Sequence, residues 1–159
     1  MPSRPTKTTK RTATTGEILV HLHDDGSWRI WIPVEPVPAS RPRFSRWGGI
    51  YYGKKYTQFR KQVAELLENS GVSGLPLEQT IHIDVVFHVQ RPKKTTRRTP
   101  RGDVDNYFKT LDVLNGVIWK DDDQIESALM TKTYADDQPG IELTVYEQLS
   151  ETRALPEMP

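Results

Sequence analysis

From Ile81 to Val89 the chain alternates strictly, with Ile81, Ile83, Val85 and Phe87 on one side and His82, Asp84, Val86 and His88 on the other. A period of two in apolar residues belongs to a strand with one buried face. That face needs a covering layer, so this strand, read from Leu77 to Val89, sets what the other segments must do. Glu17 to Pro33 alternates as well, with Ile18, Val20 and Leu22, a turn at Asp24-Asp25-Gly26, then Trp28, Ile30 and Ile32, which is a hairpin pattern. Ile125 to Tyr134 and Ile141 to Gln148 alternate on either side of Asp136-Asp137-Gln138-Pro139-Gly140 and read as a second hairpin. The cover comes from Tyr56 to Ser70, an amphipathic helix with Phe59, Val63, Leu66 and Leu67 inward. A shorter helix spans Asn106 to Val117, with Phe108, Leu111 and Leu114 or Val117 as its apolar stripe. Strands and helices in this order predict an α+β fold: a single compact domain with a mixed β-sheet and two main helices.

The 159 residues suffice for one core. The domain is expected over 16–148, preceded by a disordered basic tail, 1–15, and followed by a flexible tail, 149–159. There is no cysteine, which removes disulfides and thiolate zinc sites. No apolar run approaches the roughly 20 residues needed to span a bilayer, and the N-terminus lacks a signal-peptide core, so a soluble cytoplasmic protein without membrane association is expected.

The net charge of +1 conceals a polarity along the chain. Residues 1–101 carry eighteen Lys and Arg against eight Asp and Glu, whereas 102–159 carry four against thirteen. A basic part suited to a polyanion, joined to an acidic cluster that would repel one unless metallated, fits a metal-dependent nucleic-acid enzyme. Two solvated faces of opposite sign are the plainer reading of the same counts. Within the basic part, Pro33 to Ser40 carries three prolines and leads as a rigid loop to Arg41-Pro42-Arg43-Phe44, where two arginines flank a proline and splay toward phosphates. Arg46, Trp47, Tyr51, Tyr52, Lys54, Lys55 and Tyr56 follow on a glycine-containing loop, interleaving charge with rings that can stack on exposed bases. Arg91, Lys93, Lys94, Arg97, Arg98 and Arg101 crowd a segment that cannot bury itself, and this exposed loop ends beside the acidic stretch. His21 and His23 share a strand face with no supporting ligand and read as solvent-facing, and a lone Asp84 reads the same way.

The acidic stretch is Gly102-Asp103-Val104-Asp105-Asn106-Tyr107-Phe108-Lys109, answered by Lys120-Asp121-Asp122-Asp123-Gln124-Ile125. On an extended segment Asp103 and Asp105 leave the backbone on the same side, and such a pair calls for a cation between them. Asp105 stands as an N-cap and Gly116 as a C-cap of the intervening helix, which would return the triple aspartate toward the first pair. Lys109, one turn after Asp105, places an ammonium beside the carboxylates. Hard oxygen donors of this kind suit Mg²⁺, with Mn²⁺ as the alternative.

Asp103, Asp105, Asn106, Lys109, Asp112, Leu114, Asn115, Gly116, Asp121, Asp122, Gln124 and Ile125 together resemble the RusA family of Holliday-junction resolvases, and the likeness extends loosely over 31–147. The resemblance implies an Mg²⁺-dependent endodeoxyribonuclease that resolves four-way DNA junctions by paired nicks, acting as a homodimer. It implies that Asp103, Asp105, Lys109 and Asp122 are essential, with Asp121 beside them, and that the Arg-Pro-Arg segment touches the substrate. Three successive aspartates leave open which of Asp121, Asp122 and Asp123 is the ligand. Other Asp-x-Asp enzymes, such as glycosyltransferases and phosphatases, and a non-catalytic DNA-binding module remain as rivals, whereas an EF-hand is excluded by the missing spaced ligands, central glycine and closing glutamate.

Overall fold

A computed structural model describes residues 16–148; the two expected tails lie outside them. Five strands form one sheet in the order β1-β2-β7-β5-β6: β1 Leu19–Leu22, β2 Trp28–Ile32, β5 Ile81–Val89, β6 Ile125–Tyr134 and β7 Gly140–Glu147. Two short strands, β3 Arg43–Phe44 and β4 Ile50–Tyr51, pair separately. Helix α1 covers Lys54–Glu68 and helix α2 covers Val104–Phe108. The architecture is α+β with a mixed sheet, as the alternation predicts.

The central strand behaves as expected, since Ile81, Ile83, Val85 and Phe87 are all at most 1% exposed. Burying four such side chains contributes about 1.5–3 kcal/mol each. Against them pack Tyr56, Phe59, Val63 and Leu67 of α1, together with Tyr107, Leu111 and Leu114 from the segment that begins with α2. The opposite face, carrying Arg29, His82, Asp84, Leu129 and Thr144, has no covering layer among the described residues. His21 and His23 stack edge to face, 4.6 Å between ring centres, with His21 exposed and His23 half-buried. Leu22, expected inward, is 51% exposed because it ends an edge strand.

Three expectations are corrected. The last two strands are not a hairpin: β5 lies between them, running parallel to β6 and antiparallel to β7. Both partners bury an alternating face against β5, and alternation reports a buried face without naming the neighbour. The expected helix over Asn106 to Val117 is instead one turn of α-helix, beginning after Asp103, continued by a 3-10 helix over Lys109–Leu114. Its buried positions are Tyr107, Thr110, Leu111 and Leu114, so Tyr107 takes the inward place assigned to Phe108. Finally, the basic-aromatic segment is a small hairpin, and Lys54 and Lys55 belong to the first turn of α1.

Candidate nucleic-acid and metal site

Two tethers hold the start of α2. Tyr107, 3% exposed, donates its hydroxyl to the Arg101 carbonyl at 2.7 Å, and its ring lies 5.5 Å from that of Phe87. Lys132 of β6 donates its ammonium to the carbonyls of Pro100, at 2.8 Å, and of Gly102. Gly102 has a φ of +93°, so the turn into α2 favours the residue without a Cβ. Asp103 is therefore the extended residue before the helix, and Asp105 is inside it. The shared-side geometry expected of the two is replaced by a helical offset, because residues two apart on a helix point to different sides. Lys109 does reach Asp105, Nζ to Oδ2 at 3.4 Å, and also the Asn106 amide oxygen at 3.2 Å. Asp103, Asp105 and Lys109 are all open to solvent.

The second cluster is built by the return of the chain. Trp119 is fully buried and donates its indole N–H to Asn115 at 2.7 Å, while the Gly116 N–H donates to the Trp119 carbonyl at 2.7 Å. Gly116, at a φ of +79°, makes the turn after the 3-10 helix, as its expected cap role requires. Gln124 donates its side-chain amide to the carbonyls of Leu77 and Gln79, each at 2.9 Å, and accepts from the Asp121 N–H at 2.7 Å. Asp121 in turn accepts from the Asp123 N–H at 3.2 Å, completing a capping box over Asp122–Gln124. The Asp123 N–H, and next a hydrogen bond with Asp122, lower the Asp121 pKa; the same carboxyl–carboxyl bond raises that of Asp122, helped by the charge of Asp112. Asp121 and Asp122 are thus neighbours in space as well as in sequence. Asp112 is itself bound by Arg60 at 2.7 Å.

The two clusters stand at opposite ends of β6. Gly102 is tied to Lys132, whereas Asp122 precedes Ile125. The intervening seven residues of strand, at a rise of about 3.3 Å each, separate the clusters by roughly 20 Å. Among the described residues no group of three or more His, Cys, Asp or Glu side chains gathers as a metal centre requires. Asp103, Asp105, Asp121 and Asp122 have the right donor chemistry, but one chain does not bring them around one ion. Asp84 is no substitute, since it sits on the uncovered face and its Oδ1 accepts from His82 Nε2 at 2.7 Å.

The basic side chains converge better. Arg41, Arg43, Arg46, Lys54, Lys55, Lys93, Lys94, Arg97, Arg98 and Arg101 are all exposed. The lobe from Arg41 to Tyr52 is closed at its base by the Gly53 N–H, which donates to Ser40 Oγ at 2.9 Å. Next to it, the Ala39 N–H donates to the Asn106 carbonyl at 2.8 Å, fastening this lobe to α2. The second basic group, the loop 91–101, runs directly into the same helix and is held on β6 by Arg91 over the Tyr134 ring, 4.3 Å to its centre, and by Tyr134 donating to Thr99 at 3.1 Å. Lys132 and Tyr134, which position the basic loop, escaped the sequence reading; their only signal was a cation and a ring in an otherwise ordinary strand. At the tip of the small hairpin Trp47 is 93% exposed, and Phe44 beside it 77%.

The family model for endodeoxyribonuclease RusA matches residues 33–146. The chain is also similar to a Bacillus subtilis (strain 168) protein, the "Uncharacterized protein YqaN", at 28% identity over 134 residues, which cover 71% of this chain and 91% of that one. Among the described residues no helix is long and apolar enough to cross a membrane. A match of this extent, covering both acidic clusters, the lobe with Arg41 and Arg43 and the basic loop, shows that the chain belongs to the RusA endodeoxyribonuclease family.

Proposed function

We propose that this chain is a structure-selective endodeoxyribonuclease that resolves Holliday junctions by paired nicks, acting as a homodimer in DNA recombination and repair. The observation that carries the reading is the convergence of two exposed basic segments on the helix bearing Asp105 and Lys109, one through Ala39 and Asn106 and the other through Lys132 and Gly102. Phosphates held by Arg41, Arg43 and Arg46 on one side and by Lys93, Lys94, Arg97, Arg98 and Arg101 on the other would pass over this helix. Lys109 would then face a scissile phosphate and offset charge that develops on it. Mg²⁺, or Mn²⁺, is the cofactor that hard carboxylate donors call for. Paired nicks on a two-fold substrate require two sites related by a two-fold axis, which a dimer supplies.

The test is cleavage of a synthetic four-way junction by the parent and by Asp122→Asn, with and without Mg²⁺. Mg²⁺-dependent paired nicking by the parent, reduced at least about 100-fold in the variant with junction binding retained, is expected. Binding without cleavage by the parent under any divalent ion would instead favour a non-catalytic DNA-binding module. Unchanged cutting by Asp122→Asn would move the role to Asp121 or Asp123.

A further inference from the structure

We propose that the cavity between the segment 33–38 and the first turns of α1 takes one unpaired nucleobase of the DNA substrate, and that Glu35 favours a base carrying an exocyclic amine. That the ligand is DNA rests on the nuclease reading; the cavity itself is separate from both acidic clusters. It encloses about 710 Å³, within the range of small-molecule sites. Pro36, Pro38, Phe59 and Tyr107 supply its apolar wall, and Glu35, Lys55, Gln58, Gln62 and Gln90 its polar rim. One carboxylate and one ammonium leave that rim without net charge. The balance decides which part of a nucleic acid enters: the basic segments outside suit phosphates, whereas a neutral cavity with rings and prolines on its wall suits the uncharged base. Glutamine amides both donate and accept, so they can meet the edge of any base. A carboxylate only accepts. Glu35 therefore favours the amine that adenine, cytosine and guanine present and thymine lacks.

The cavity lies against the nuclease helix. A Cβ built on Gly102 would stand 3.3 Å from both Pro38 and the Tyr107 ring, so the backbone one residue before Asp103 forms the back of the same wall. Next to Pro38, the Ala39 N–H donates to the carbonyl of Asn106, the residue after Asp105. Tyr107 serves both sides. Its hydroxyl donates to the Arg101 carbonyl, and burial, then the nearby charge of Glu35, holds its pKa above the ordinary 10.0, so the ring stays neutral against an entering base. A base seated against this ring brings its own phosphodiester toward α2. Unstacking costs a few kcal/mol and least for a base without a partner, which favours the crossover of a branched substrate over intact duplex.

The test uses the full chain and a synthetic four-way junction carrying 2-aminopurine, a fluorescent base with an exocyclic amine, at each crossover position in turn. Binding is read in EDTA, where no cleavage is needed. The parent is expected to change the fluorescence at one crossover position, and Gln58→Trp, which fills the mouth from an exposed position, is expected to abolish that change while binding to intact duplex stays within about twofold. In Mg²⁺, thymine at that position is expected to slow nicking by the parent about tenfold or more relative to cytosine. Glu35→Ala, at an exposed residue, should keep the parent's melting temperature and nick both junctions at rates within about twofold of each other. Fluorescence unchanged at every position, a change that survives Gln58→Trp, or discrimination against thymine that survives Glu35→Ala would overturn the proposal and leave the nuclease reading standing. A parent that binds junctions and cuts none would end the nuclease reading, and the fluorescence in EDTA would still decide whether the cavity holds a base.

Discussion

Lys132, near the C-terminal end of the sheet's edge strand, holds the Gly102 carbonyl one residue before the first aspartate of the acidic pair. A single ammonium therefore links β6 to the basic loop and to α2. Replacing it with methionine retains the stem and deletes the donor. Lys132→Met is expected to destabilise the fold by about 1–3 kcal/mol, the cost of leaving carbonyls without a charged donor. It should also lower cleavage more than junction binding, because Asp103 and Asp105 lose their fixed origin; denaturant titration and single-turnover nicking check the two effects.

Trp47 at 93% exposure and Phe44 at 77% bury almost nothing in the chain itself. Trp47→Ala and Phe44→Ala should leave the melting temperature unchanged. If the rings stack on unpaired bases, each substitution weakens binding to a junction or to single strands by about 1–3 kcal/mol, and binding to intact duplex far less. Fluorescence titration against the three DNA forms separates these outcomes.

Gly140 begins β7 where a Cβ would collide with the Trp31 ring and stand 2.9 Å from the Ile32 carbonyl. Gly140→Ala must displace an indole that packs, at 5.8 Å between centres, against His88. A loss of about 1–3 kcal/mol is expected from this overpacking, and Trp31→Val in the same chain should recover most of it. Thermal denaturation of the single and double variants measures both.

The Asp121–Asp122 pair titrates in a defined direction. Without divalent ions, Asp122 should release its proton above the ordinary value of 3.8 and Asp121 below it. A raised acid pKa means that the folded chain keeps a proton that the unfolded chain has lost. The Asp122 contribution to stability is therefore greatest below 3.8 and declines as pH rises through its raised value. Carbon-13 titration of the side-chain carboxyls reads each residue, and in Asp122→Asn the Asp121 value should remain low, because its largest cause is the Asp123 N–H.

Local patterns carried much of this structure. Alternation in Ile81 to Val89 fixed which side chains are buried, since a strand's pleat leaves no other choice, and the motif from Asp103 to Ile125 identified the family through side-chain chemistry packed closely in sequence. The Asp105–Lys109 contact was legible for the same reason, one helical turn being a short-range relation. What the tertiary structure decided is who meets whom over longer distances. Inserting β5 between β6 and β7, and placing Asp103 and Asp122 at opposite ends of one strand, depends on how separate buried faces share a sheet, and burial is satisfied equally well by several neighbours. Periodicity records that a face is covered; only the assembled sheet determines by what, and therefore how far apart its ends stand.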